Sequence, residues 1–294
     1  MIAARSSRAH PAERILRPGE RELLDAWREL VEANREQEAR LSEIEESEDP
    51  WGAGYAGSTV DLENPAPQCA YIAAHARPDE TWLDIGAAFG QSMLPIASQV
   101  RRVTALDPSP GMIVKLQENI RLHEITNVDA LEPMAWPPEI SLEQHDVCLA
   151  SAVIYEIAGI GPFLDAMERH ARRLCVVLVA EWGTGFTPYE PLFTELHGEP
   201  YVRPPAFREF IGLLCARRRR FDVQTFQVVW PAEDIEEALA NRGRKNFFLR
   251  EGSEKEARLR NMLVEHYGIG NEQVQLPHPT GNYFAAVSWE PPGL

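Results

Sequence analysis

The four cysteines, Cys69, Cys148, Cys175 and Cys215, include no C-x-x-C pair, so their spacing offers neither a disulfide framework nor a metal site. Two of them fall inside apolar runs, where a thiol acts as a small hydrophobe. Positive charge is also scarce: 29 Lys and Arg stand against 45 Asp and Glu, a net charge of −16, whereas a nucleic-acid partner needs clustered cations. The one basic run, Arg217-Arg218-Arg219-Arg220, lies where a helix should end and cations face the carbonyl end of its dipole. No apolar stretch reaches the ~20 residues of a bilayer span, and Met1 to Arg8 has no apolar core such as a signal peptide needs. These absences lead to the expectation of a cytoplasmic chain with no membrane, metal or nucleic-acid partner. The dinucleotide pattern G-x-G-x-x-G is missing, and so is the Gly-Lys-Ser/Thr of a P-loop.

What is present centres on Thr81-Trp82-Leu83-Asp84-Ile85-Gly86-Ala87-Ala88-Phe89-Gly90. A short apolar run ends in an acid, a small-residue turn follows, and Gln91 to Ala97 opens a helical pattern, so the stretch reads as strand, tight loop and helix. Such βα turns bind ligands, and glycines at 86 and 90 let backbone approach one, with the amides that open the next helix facing the same space. A second apolar run, Arg102 to Leu106, ends at Asp107, where a carboxylate can hold a ribose. Ala88 and Gln91 occupy the later glycine positions of a dinucleotide turn, so NAD fits poorly.

Asp84, Gly86 and Gly90, then Asp107-Pro108-Ser109-Pro110-Gly111-Met112, then Asp146 to Tyr155, resemble three successive motifs of the class I S-adenosylmethionine (SAM) dependent methyltransferases. The resemblance runs from residue 63 to the C-terminus. It implies an α/β fold, a doubly wound, mostly parallel, seven-stranded Rossmann-like sheet, and SAM as cofactor. It also implies roles: Asp84 toward the cofactor's ammonium, Gly86, Ala87, Ala88 and Gly90 in the loop beneath it, and Asp107 on the ribose hydroxyls. Pro108, Ser109 and Met112 would line the adenine, Met134 and Ala135 would stand where the family usually carries an acid, and Ser151 would end the fourth strand beside the cofactor.

Elsewhere the chain reads in blocks. Residues 1–62 hold a tail, an amphipathic helix from Glu20 carrying Leu24, Trp27, Leu30, Val31, Leu41 and Ile44, and a Gly-rich loop with Trp51 and Tyr55. The helix packs on the main domain, forms a lid, or offers a seam for a homodimer with Asn34 as a polar interruption. Residues 63–294 form the SAM-binding domain, with a charged helical insertion at 231–275 before a last strand, Tyr283 to Trp289. Helices are expected over Pro65 to His75, Gly161 to Arg172 and Pro204 to Arg220, and Cys175 to Ala180 reads as a strand buried on both faces.

Ligands sit beyond the carboxyl ends of parallel strands, and this rule ranks the ionisable groups. His145 starts a strand and falls at the wrong end, whereas Tyr155, Glu156 and Glu181 follow strands. Tyr155 and Glu156 are the catalytic candidates, for orienting the acceptor or moving its proton, and Trp51, Tyr55, Tyr155 and Trp182 are the substrate candidates. His197 could reach the pocket from a loop. The expected activity is methyl transfer to a small-molecule acceptor. The alternatives are a methyltransferase acting on protein or RNA, docking through Arg217 to Arg220, or a non-catalytic scaffold with a SAM fold.

Overall fold

The structure, a computed structural model, describes residues 18–44, 48–49, 59–180, 190–227, 232–269, 273–275 and 283–293. In chain order the elements are α1 (Glu20–Leu41), α2 (Pro67–Ala74), β1 (Thr81–Ile85), a 3-10 turn at Leu94–Gln99, β2 (Arg102–Leu106), α3 (Pro110–Leu122), β3 (Val128–Ala130), β4 (His145–Ser151), α4 (Ile160–His170) and β5 (Ala171–Ala180). They continue with α5 (Glu190–His197), α6 (Phe207–Ala216), β6 (Phe221–Gln227), β7 (Glu233–Asp234), α7 (Ile235–Ala238), α8 (Arg244–Asn246), α9 (Glu254–Tyr267), β8 (Gly268–Ile269), β9 (Gln273–Val274) and β10 (Tyr283–Trp289).

Seven strands form the main sheet in the order β3-β2-β1-β4-β5-β10-β6, parallel from β3 to β5, with β10 antiparallel to both its neighbours. The strand order turns back at β1 and β4, the switch point where a cleft opens at the carboxyl ends. The apolar runs of β4 and β5 split by the two-residue strand period. Cys148, Ala150, Cys175, Val177 and Val179 join Trp27, Val31, Phe163 and Phe210 on one face, while Val147, Leu149, Val176 and Leu178 join Ile72, Trp82 and Ile96 on the other. Each such buried side chain contributes about 1.5–3 kcal/mol, which holds the sheet between its helical layers.

A second core forms away from the sheet. Leu192, Phe193 and Leu196 of α5 pack with Leu239, Phe247, Leu249, Leu259 and Leu263, and β7, β9 and β8 make a small three-stranded sheet beside them. We refer to this unit as the cap. Helix α1 bridges the two cores: Trp27 and Val31 are buried in the body, Leu41 packs on the cap, and Asn34 Nδ2 donates to the Val202 carbonyl at 2.7 Å. The apolar face of α1 is thus spent inside the chain, and Asn34 is satisfied by a loop of its own protomer.

Several local expectations change. The helix expected from Gln91 is only the 3-10 turn at Leu94–Gln99, because Pro95 lacks the amide that an α-helical ladder would use. The helix expected over 204–220 spans Phe207–Ala216, stopped by Arg218 at φ 55°. His197 is not in a loop: it ends α5, stacked between Phe193 and Phe247 in the cap core. The insertion holds its own sheet as well as helices, and it recruits α5 from outside 231–275. The basic run is also resolved. Arg217 pairs with Asp165 and Glu20, and Arg219 takes both oxygens of Glu168, which also accepts from Trp289 Nε1. Among the described residues no helix is long and apolar enough to cross a membrane.

Candidate functional site

The loop after β1 is held in left-handed backbone at three positions, Gly86 (φ 72°), Ala88 (φ 49°) and Gly90 (φ 95°). A Cβ at residue 86 would lie 2.5 Å from Val153 Cγ2, and one at residue 90 would lie 2.6 Å from Leu94, so both glycines are demanded by space and by backbone. Ala88 carries its methyl group in the same conformation at a modest steric cost. The first amides of the loop are spent on β2 and the residue after it. Gly86 and Ala87 donate to the Leu106 carbonyl at 2.9 and 3.0 Å, and Ala88 donates to Asp107 Oδ2 at 2.9 Å.

This bonding brings two carboxyl groups together at the cleft. Asp107 is 7% exposed and also accepts from Ser109 N at 2.9 Å; burial raises its pKa against the pull of these two amides. Asp84 is 1% exposed and its Oδ1 has no hydrogen-bond partner. Burial first and the neighbouring Asp107 second push its pKa up to about 8. Such a pair calls for a cation beside Asp84 and hydroxyl donors beside Asp107. The rim of this end is set by α3, where Ser109 Oγ accepts from Met112 N at 3.0 Å. Asp49, which the sequence did not single out, accepts from Ser109 Oγ and from Gly111 N, each at 2.7 Å. Met134 N donates to the Asp107 carbonyl at 3.0 Å, Met134 is half-buried, and Ala135 is exposed.

A sheet in this order, with an antiparallel strand beside β5 and an acid closing each of β1 and β2, decides the fold. It is the class I methyltransferase fold. No family model matches the sequence, and no curated protein does. Among solved structures, the chain superimposes on the YcgJ protein of Bacillus subtilis with a TM-score of 0.51 at 13% identity, over 76% of this chain and 97% of that one. It also superimposes on a SAM-dependent methyltransferase from Thiobacillus denitrificans, solved in complex with S-adenosyl-L-homocysteine, with a TM-score of 0.50 at 12% identity, over 84% of this chain and 98% of that one.

On the other side of the methyltransferase fold's cleft, β4 ends at Ser151, whose hydroxyl lies 2.8 Å from that of Ser92. Val153 packs on Gly86, and the chain then turns through Ile154–Glu156. Tyr155 points into the core: it is buried, and its hydroxyl accepts from Ala180 N at 2.5 Å, with burial raising its pKa against the pull of that bond. Glu156 lies within electrostatic reach of Glu38 of α1 and Lys245 of α8, and Arg35 donates to its carbonyl. Desolvation raises the Glu156 carboxyl and Glu38 adds to the rise; desolvation lowers Lys245 against the pull of Glu156 and Glu38. Both residues are exposed, and Tyr201 beside them is half-buried, its hydroxyl pushed up to about 12, chiefly by burial. Glu38, Tyr201 and Lys245 come from separate parts of the chain and carried no sequence signal. Trp51, Tyr55, Glu181 and Trp182 lie outside the described residues, and His145 starts β4 at the far end of the sheet, as expected.

Proposed function

We propose that this protein is a SAM-dependent methyltransferase acting on a small-molecule acceptor. One observation carries the reading: a fully buried carboxyl with an orphaned oxygen, Asp84, stands beside a second carboxyl, Asp107, at the switch point of a methyltransferase sheet. These residues fit the cofactor. Asp84 would hold its ammonium, Asp107 has a lone pair left on each oxygen for a ribose diol, and Gly86 and Gly90 keep side chains out of the loop. Pro108, Ser109, Met112, Met134 and Ala135 would border its base, and Ala87, Ala88 and Ser151 its middle. Bound there, SAM supplies an activated methyl group on a sulfonium.

The chain's own part is alignment and exclusion of water. The acceptor would sit by Glu156, Glu38, Tyr201 and Lys245, one turn away from Val153, which packs on Gly86 of the loop after β1. Glu156, its carboxylate made more basic by desolvation and Glu38, would accept the acceptor's proton; Tyr155 would fix the wall after β4 through Ala180. The ion pairs of Arg217 and Arg219 take away half of the basic run on which an RNA-docking reading depends. The acidic composition supports a cytoplasmic enzyme. Calorimetric titration with SAM and with S-adenosylhomocysteine tests the proposal: micromolar binding of both, about −8 kcal/mol, is expected, and no binding of either would sink it.

A further inference from the structure

We propose that cofactor binding is coupled to release of a proton from Asp84: the carboxyl is a neutral acid in the ligand-free protein and ionises when an ammonium group docks against it. The inference rests on the cofactor reading above. Its ground is the geometry of the β1 end. Asp84 is 1% exposed, flanked by Ala105 and Leu149 on the neighbouring strands, and its Oδ1 meets no donor. The charged group facing it is Asp107, of its own sign; Asp49 lies beyond Asp107 and acts on that residue.

An ionised carboxylate in such a place would be buried, unpaired and repelled, so the group keeps its proton until a cation arrives. Asp107 differs, because two backbone amides hold its charge at 2.9 Å each. The two acids therefore divide the work. Asp107 stays ready for hydroxyl donors, while Asp84 answers a cation by giving its proton to solvent and taking up an ion pair. One proton leaves the protein for each ammonium bound, and apparent affinity rises as pH rises toward the point where Asp84 ionises unaided.

The test is calorimetry of the full-length protein at pH 7 in buffers of different ionisation heat. The ligands are S-adenosylhomocysteine and 5′-methylthioadenosine, which shares the nucleoside but has no ammonium. For S-adenosylhomocysteine about one proton should be released per site, and for methylthioadenosine none. Asp84→Asn should abolish the release and leave the methylthioadenosine affinity within about twofold, with a melting curve to show that the variant folds. Buffer-independent heats for S-adenosylhomocysteine, or release that persists in Asp84→Asn, would overturn the inference while leaving the cofactor reading intact. Failure of wild type to bind either ligand would overturn both.

Discussion

The two walls of the cleft are built in different ways. The wall under β1 and β2 comes from one local stretch: Asp84, Gly86, Ala88, Gly90, Asp107 and Ser109 all lie within two consecutive strand–loop units and are tied by backbone bonds. The facing wall is assembled from α1, the turn after β4, Tyr201 and the cap, which are distant in sequence and joined by side chains such as Asn34 and Gln37 on the Val202 and Pro200 carbonyls. A wall made from backbone geometry tolerates little substitution. A wall made from side chains can change its chemistry while the fold stands, and that division suits an enzyme that keeps one cofactor and varies its acceptor.

Substitutions can break or sharpen this contrast. The largest effect is expected at Asp84, and it has opposite signs for stability and binding. Its folded pKa is raised from 3.8 to about 8, so the native state holds a proton that the unfolded state has lost. Stability of the ligand-free protein therefore falls as pH rises from about 4 to about 8. Asp84→Asn should remove that slope and raise stability at pH 8 by roughly 3–5 kcal/mol, read by denaturant melts, while weakening S-adenosylhomocysteine binding. If the variant is less stable at pH 8, the acid is paired in the native state after all.

Next comes Asp107→Ala, which removes the acceptor of two loop amides as well as the proposed ribose contact. Cofactor affinity should drop about a hundredfold or more, roughly 3 kcal/mol, by calorimetry. Retained affinity would remove Asp107 from the site.

The far end of the sheet offers a control for pH effects. His145 is buried, bonded to Thr104 Oγ1 at 2.9 Å, and its pKa is lowered to about 4, by burial first and then by Arg102 and Arg172. Its native state resists protonation, so the stability it contributes is present above pH 6.5 and lost as pH falls toward 4. The loss should approach about 3 kcal/mol, and His145→Gln should flatten the acid limb of the profile without altering cofactor affinity at pH 7. The smallest effect is expected on the facing wall. Glu156→Gln and Lys245→Ala should leave S-adenosylhomocysteine affinity within about twofold, under 0.5 kcal/mol. A larger loss would mean that both walls hold the cofactor.

Legibility followed the same divide. The acid-and-glycine turn and the apolar strands could be read in the sequence because strand period and left-handed backbone are properties of neighbouring residues. The cap could not. His197 looked like a loop residue until α5 was seen to share a core with residues 235–263, and Asn34 looked like an interruption until Val202 was found opposite it. Tyr155 had the right position along the chain, but the pitch of the turn after β4 sent its ring into the core and left Glu156 exposed.

By itself, then, the sequence determined the sheet, the left-handed loop and the pair of acids at the strand ends, since each depends on local spacing and on where apolar runs stop. Tertiary structure alone decided what those acids feel and what faces them. Asp84 is an ordinary carboxyl by its sequence; it becomes a buried, orphaned acid because β2 and β4 close over it, with Asp107 beside it adding repulsion, and desolvation and repulsion depend on distances between strands that no local pattern encodes.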